Sequence, residues 1–279
     1  MADCIGRFAP SPTGALHLGS MVAAVASYLD ARARGGQWLV RMEDLDPPRE
    51  VAGSADAILR TLESFGLFWD GEVVYQSQRH ARYEDVLAEL MDRGLAFACN
   101  CSRAMLGEHK VYPGTCRGLK EGRAYRLLTG PGQVSWQDGG KGVQSFDLTR
   151  EVGDFILRRG DGHWAYHLAV VVDDYDAGVT HVVRGEDLLT STARHLILLE
   201  HLKWSPPKYH HLPLVLNAEG QKLSKQTLAT PVDSHRPALT LQRVFNHLQL
   251  PVRATADVKE TLIQAQDAWG RLLESKSHS

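Results

Sequence analysis

The sequence predicts an α/β protein in which a parallel sheet carries helices on its faces, and three observations predict it. Residues 4–8, 18–34 and 38–42 read in order as strand, helix and strand, and a strand that returns in parallel through a helix is a βαβ unit. Apolar strand patterns recur late in the chain, at residues 180–184 and 211–216, with a helical stretch between them. With 279 residues, 43% of them apolar, the chain supports one large domain or two smaller ones at roughly 100–200 residues each.

The first strand runs into Pro10, Pro12 and Gly14, a turn-forming set. The helix that follows shows its apolar face at Ala23, Val25, Ala26, Leu29 and Ala33, and Gly35-Gly36 stops it. Residues 38–42 resume as a buried strand. Helices are expected at 54–65, ending at Gly66, and at 81–93, ending at Gly94. Residues 98–123 lose all periodicity and become rich in Cys, Gly and basic side chains, which marks an insertion. Strands are expected at 165–172, 180–184 and 211–216, and helices at 190–202, 239–248 and 258–273. The expected division is 1–97 and 127–226 for two halves of a catalytic domain, 98–126 for the insertion and 227–279 for a short helical C-terminal region.

A formal charge of −2 with 23% charged residues excludes a globally basic nucleic-acid binder. Any RNA contact has to come from a local patch, and Lys110, Arg117, Lys120, Arg123 and Arg126 form one basic stretch. No apolar run reaches the roughly 18–20 residues of a membrane span, and the first residues lack a signal-peptide pattern. The expectation is a cytoplasmic protein with no membrane contact and no obligate protein partner. Three of the four cysteines, Cys99, Cys101 and Cys116, cluster. In a cytosolic chain that favours metal over disulfides.

Three distant segments carry chemistry. Phe8-Ala9-Pro10-Ser11-Pro12-Thr13-Gly14 leads into His17-Leu18-Gly19-Ser20 at the start of a helix. There, unpaired backbone N–H groups and a positive dipole end suit a triphosphate. His17 is placed to donate to phosphate oxygens, and Gly19 permits close approach of the nucleoside. Arg184-Gly185-Glu186-Asp187 follows a strand. Lys222 and Lys225 then lie three apart in a loop containing Gly220, a placement suited to a mobile clamp on the α-phosphate and leaving pyrophosphate.

These motifs resemble the HIGH and KMSKS signatures of class I aminoacyl-tRNA synthetases. Within that class, residues 7–14 together with Tyr166, Val172-Asp173-Asp174 and the Arg184 segment are similar to the glutamyl enzymes. The resemblance implies a Rossmann-like catalytic fold, Mg²⁺-ATP and an aminoacyl-adenylate intermediate. It also implies glutamate contacts from Arg7, Ala9, Ser11, Glu43, Tyr166 and Arg184, and ATP contacts from His17, Gly19 and Lys225, with His17, Lys222 and Lys225 catalytic. The chemistry agrees: glutamate brings two carboxylates and an ammonium, which two arginines and one glutamate match. Ser20 departs from the second histidine of HIGH, and Gln226 from the last serine of KMSKS.

Structural zinc takes four ligands in a tetrahedron, and the cysteines supply three. His109 is the ordinary chemical choice for the fourth, whereas the closest subfamily resemblance implies Tyr112. Between Lys225 and Ser279 there is room for two or three helices, too few for the helical domains with which a glutamyl-tRNA synthetase reads an anticodon. The resemblance therefore narrows to the glutamyl-Q tRNA(Asp) synthetases, a fit shared by Tyr75-Gln76-Ser77-Gln78-Arg79 and the Cys/Tyr cluster. It implies activation of L-glutamate without tRNA and transfer to the queuosine base of tRNA(Asp). The alternative is a truncated glutamyl-tRNA synthetase that charges the 3′ end.

Overall fold

The computed structural model describes residues 4–106, 111–216 and 230–277. In chain order its elements are β1 (Ile5–Phe8), α1 (Leu18–Ala33), β2 (Gln37–Met42), α2 (Ser54–Ser64), β3 (Val74–Tyr75), α3 (His80–Asp92), β4 (Ala96–Cys99) and α4 (Arg103–Leu106). Then come β5 (Ala124–Leu127), β6 (Gln133–Asp138), β7 (Gly142–Asp147), β8 (Ile156–Arg158), α5 (Tyr166–Asp176) and β9 (His181–Gly185). α6 (Leu189–Leu202), β10 (Lys208–Leu212), α7 (Pro237–His247) and α8 (Val258–Ser277) complete the chain. These elements form two compact units. The first takes the described residues through Tyr75, Val179–Asp187 and those from Lys208 onward, and the second takes Gln76–Gly178 and Leu188–Pro207. No helix of the described residues is long and apolar enough to cross a membrane.

In the first unit every pair of the strands named above is parallel. β1 pairs with β2 from Ile5↔Gln37 to Phe8↔Val40, β2 with β3 at Arg41↔Val74 and Met42↔Tyr75, and β9 with β10 from His181↔Lys208 to Gly185↔Leu212. β9 lies beside β1, because the Thr180 N–H donates to the Ile5 carbonyl and the Ile5 N–H to Thr180 Oγ1, both at 2.9 Å. Right-handed βαβ connections place α1 on this sheet. Gly6 lets it come close, since a β-carbon there would sit 3.1 Å from the Ala31 methyl.

α7 and α8 pack on α1 as well, so the helix is enclosed on most of its circumference. Leu241, Val244, Phe245 and Trp269 share one core with Met21, Val25, Leu29, Trp38, Ile58 and Phe65. Two indole N–H groups caught inside are paired, as burial demands. Trp269 Nε1 donates to Asp30 Oδ1 at 3.1 Å, and Trp38 Nε1 to Ser27 Oγ at 3.0 Å.

The second unit contains an antiparallel β4-β5-β8 sheet, a β6-β7 hairpin and helices α3, α5 and α6. The strand expected at 165–172 is instead helix α5. Its seven consecutive residues from Leu168 to Asp174 are all buried, so no polar face marks the helical period, and the three valines mimic a strand. Asp173 anchors the helix: its carboxylate accepts from Gln76 Nε2 at 2.7 Å, Arg79 Nε at 2.6 Å and Tyr83 Oη at 2.8 Å. The last expected strand also shifts, from 211–216 to Lys208–Leu212, because Pro213 has no N–H to continue the ladder.

Candidate active site

Open parallel sheets bind ligands at the carboxyl ends of their strands, and the first unit gathers its chemistry there. Arg7 lies on β1 and Arg184 on the adjacent β9, both buried. Glu43 directly follows β2, and its N–H donates to the Pro10 carbonyl at 2.9 Å, tying it to the first motif that contains Ala9 and Ser11. Gly14, with φ of 125°, closes the turn. The Ser54 hydroxyl staples that turn, donating to the Gly14 carbonyl and accepting its N–H, both at 3.0 Å.

His17 caps α1. Its Nδ1 accepts the Ser20 N–H at 3.3 Å, while Ser20 Oγ accepts the His17 N–H at 2.8 Å and donates to the His17 carbonyl at 2.9 Å. An accepting Nδ1 puts the neutral imidazole's proton on Nε2. His17, Gly19, Ser20, Gly185 and Asp187 line an open cleft with Leu212, Leu214 and Val215. Gly185 makes room for the Asp187 carboxylate, whose Oδ1 would lie 2.5 Å from an added β-carbon.

Charged side chains around the edge are held in place. Arg184 Nε donates to Nε2 of His211, a fully buried residue, at 3.3 Å, and its guanidinium lies 5.3 Å from the Tyr209 ring centre. That bond fixes the His211 proton on Nδ1. Glu43 Oε1 pairs with Arg41 Nη2 at 3.2 Å. Glu186 Oε1 accepts the Leu214 N–H at 3.1 Å, binding the Arg184 segment to the end of β10.

Lys222 and Lys225 lie outside the described residues. The residues on either side of their segment are described, one flank in the cleft and the other beside α1. Val215 lines the cleft, and the Val232 N–H donates to the Leu16 carbonyl at 2.9 Å, next to His17. Tyr166, at the first position of α5, belongs to the second unit. It packs against His167 and His195, whose rings approach at 3.3 Å between Nδ1 and Nε2. This histidine pair was not legible in the sequence, since only the packing of α5 on α6 brings it together.

A second cluster lies within the second unit. The Sγ atoms of Cys99, Cys101 and Cys116 all fall within 4.8 Å of one another. Tyr112 Oη lies 3.5 Å from Cys99 Sγ and 3.6 Å from Cys101 Sγ, and it accepts the Cys116 N–H at 2.9 Å. Zinc–thiolate bonds of about 2.3 Å in a tetrahedron set neighbouring donors about 3.8 Å apart, so this donor set fits zinc. The Tyr112 hydroxyl holds the Cys116 thiol down at about 7, toward the thiolate a metal needs, and burial keeps the Tyr112 phenol above its ordinary value. His109, the other choice for fourth ligand, lies outside the described residues.

The basic stretch around this cluster is thinner in space than in sequence. Arg126 is buried, and the exposed Arg117 has its charge paired with the buried Asp154 at 2.7 Å, while Lys120 and Arg123 are also exposed to solvent. Lys110 lies outside the described residues.

The family model of the class I (E and Q) tRNA synthetase catalytic domain matches residues 4–123 and 130–239. The glutamyl-Q tRNA(Asp) synthetase of Chromobacterium violaceum is 54% identical over 251 residues, 86% of this chain and 84% of that protein. A protein of the same name from Pseudomonas syringae pv. tomato is 50% identical over 270 residues, 95% and 91% of the two chains. Among solved structures, a glutamate tRNA ligase from Elizabethkingia meningosepticum in complex with its amino acid superposes with a TM-score of 0.78 at 27% identity. That match covers 95% of this chain and 64% of the ligase, so the chain spans less than two thirds of the ligase's length.

Proposed function

Because the chain belongs to the class I (E and Q) tRNA synthetase family, we propose that it activates L-glutamate with ATP, without tRNA, and transfers it to the queuosine base in the anticodon of tRNA(Asp). The observation that carries the first step is the charge pattern at one sheet edge: Arg7 and Arg184 for two carboxylates, with Glu43 for an ammonium. The acceptor rests on the names of relatives at 50% identity or more over most of both chains.

In the proposed first step the glutamate α-carboxylate attacks the α-phosphate of ATP in line, and pyrophosphate leaves. Positioning and charge stabilisation do the catalysis, with no protein nucleophile. His17 Nε2–H and the first N–H groups of α1 donate to phosphate oxygens, Gly19 leaves room for the nucleoside, and Lys222 and Lys225 close on the leaving group. Mg²⁺ supplies charge neutralisation when it enters with ATP. Arg7, Arg184 and Glu43 hold the glutamate, with Ala9 and Ser11 beside them. In the second step a hydroxyl of the queuosine cyclopentene-diol attacks the adenylate carbonyl and AMP leaves, the base having been turned out of its stack. Zinc held by Cys99, Cys101, Tyr112 and Cys116 ties the insertion together. These substrates belong to the cytoplasm.

Glutamate-dependent exchange of labelled pyrophosphate into ATP, measured with no tRNA present, tests the activation step. Exchange that appears only after tRNA is added would favour the truncated glutamyl-tRNA synthetase instead.

A further inference from the structure

Arg126 occupies the middle of β5, opposite Phe97 of β4, and is only 7% exposed. A buried guanidinium normally sits against a carboxylate, because an unbalanced charge is costly away from water. Among the described residues no carboxylate pairs with Arg126. Its Nη1 donates to the backbone carbonyl of Asp154 at 3.0 Å, a neutral partner. The Asp154 carboxylate itself is taken by Arg117, at 2.7 and 3.1 Å, and by the Thr129 N–H at 3.0 Å.

What faces the Arg126 charge is the sulfur cluster. Nε donates to Cys99 Sγ at 3.4 Å, and the guanidinium carbon stands 3.9 Å from the centre of the Tyr112 ring. One cation therefore bonds one donor sulfur, that of Cys99, and stacks on the ring that carries a second donor, the Tyr112 hydroxyl. Three thiolates around a divalent ion carry a net charge of −1 before Tyr112 is counted. One buried guanidinium is the complement of that charge.

We infer that Arg126 is the counter-cation of the Cys99, Cys101, Tyr112, Cys116 site: a positioning residue whose charge neutralises the metal-bound ligand set and whose fork orients Cys99 and Tyr112. The inference rests on the zinc reading proposed above. Outer partners of metal ligands are typically worth 10–100-fold in metal affinity. The arrangement has a two-sided consequence. With zinc bound, Arg126 is balanced, and without zinc it is a buried cation that no metal-bound ligand set balances.

The test uses the full-length, zinc-loaded protein and its Arg126→Met and Arg126→Lys variants. Zinc affinity is measured by competition with a chromophoric chelator, and thermal unfolding is followed in loaded and chelator-stripped samples. The expected result is a 10–100-fold loss of zinc affinity in R126M and a smaller loss in R126K, which keeps the charge without the fork. R126M should lower the melting temperature of the loaded protein and leave that of the stripped protein unchanged or higher. Zinc affinity within twofold of the parent, or an equal melting loss in both samples, would overturn the inference, the second outcome marking a merely structural arginine. Should R126M not fold, R126K alone decides: parent-like zinc affinity overturns the inference, and a severalfold loss supports it. A parent protein that binds no zinc overturns both the metal reading and the inference. Normal zinc in the parent with unchanged affinity in the variants overturns the inference alone.

Discussion

His17 and Ser20 cap each other: Nδ1 of the histidine accepts the Ser20 N–H at 3.3 Å, and the serine hydroxyl accepts the His17 N–H at 2.8 Å. Ser20 stands where the related signature has a second histidine, and its hydroxyl serves the helix cap. The cap sets the imidazole as an Nε2–H donor at the mouth of the cleft.

Ser20→Ala removes the hydroxyl that bonds both backbone groups of His17. Loss of such a cap costs about 1 kcal/mol, read as a lower urea midpoint. Pyrophosphate exchange should fall severalfold through a raised KM for ATP. Unchanged exchange kinetics would separate the cap from ATP binding and contradict its proposed role.

Lys225→Ala should lower adenylate formation at least tenfold while glutamate still binds, because a clamp on the leaving group acts mainly in the transition state. Glutamate affinity by calorimetry and pyrophosphate exchange read the two separately. Equal losses in both would assign Lys225 to glutamate binding.

Asp173→Asn should destabilise the protein by about 2 kcal/mol, since the amide removes one of the two acceptor oxygens that Gln76, Arg79 and Tyr83 share, while Arg79 keeps its pairing with Asp176. The urea midpoint should drop accordingly. A change under about 0.5 kcal/mol would show that Asp173 does not anchor α5.

His181 gives a pH dependence. Burial, reinforced by Arg34, lowers its pKa below the ordinary value of about 6.5. Between the folded value and about 6.5 the unfolded chain binds the extra proton, so stability is whole above about pH 6.5 and declines as pH falls below it. His181→Gln should therefore lose less stability than the parent between about pH 7.5 and 5.5. Equal slopes would remove His181 as the source.

How much of this was legible varies with what each residue shows to solvent. β1, α1 and β2 could be read directly, because Pro10, Pro12 and Gly14 mark the turn before the helix and Gly35-Gly36 stops it ahead of a second apolar strand. α5 could not, since a helix buried on all faces carries no period and Val170, Val171 and Val172 resemble a strand. The β6-β7 hairpin was missed because its polar residues outnumber its apolar ones. Its turn is set by Asp138 Oδ1, which accepts the Gly140 and Lys141 N–H groups at 2.9 and 3.0 Å. The three clustered cysteines stood out by spacing. Arg126 read as one member of a solvated basic run, and only the strand register shows it turned inward.

Where the glutamate ends up tests the proposed function most directly. Labelled glutamate, ATP and queuosine-containing tRNA(Asp) are incubated with the protein, the tRNA is cut with nuclease, and the labelled fragment is identified. The proposal predicts label in the anticodon fragment, lost when the tRNA lacks queuosine. Label at the 3′ end, or equal labelling of tRNA without queuosine, would contradict it.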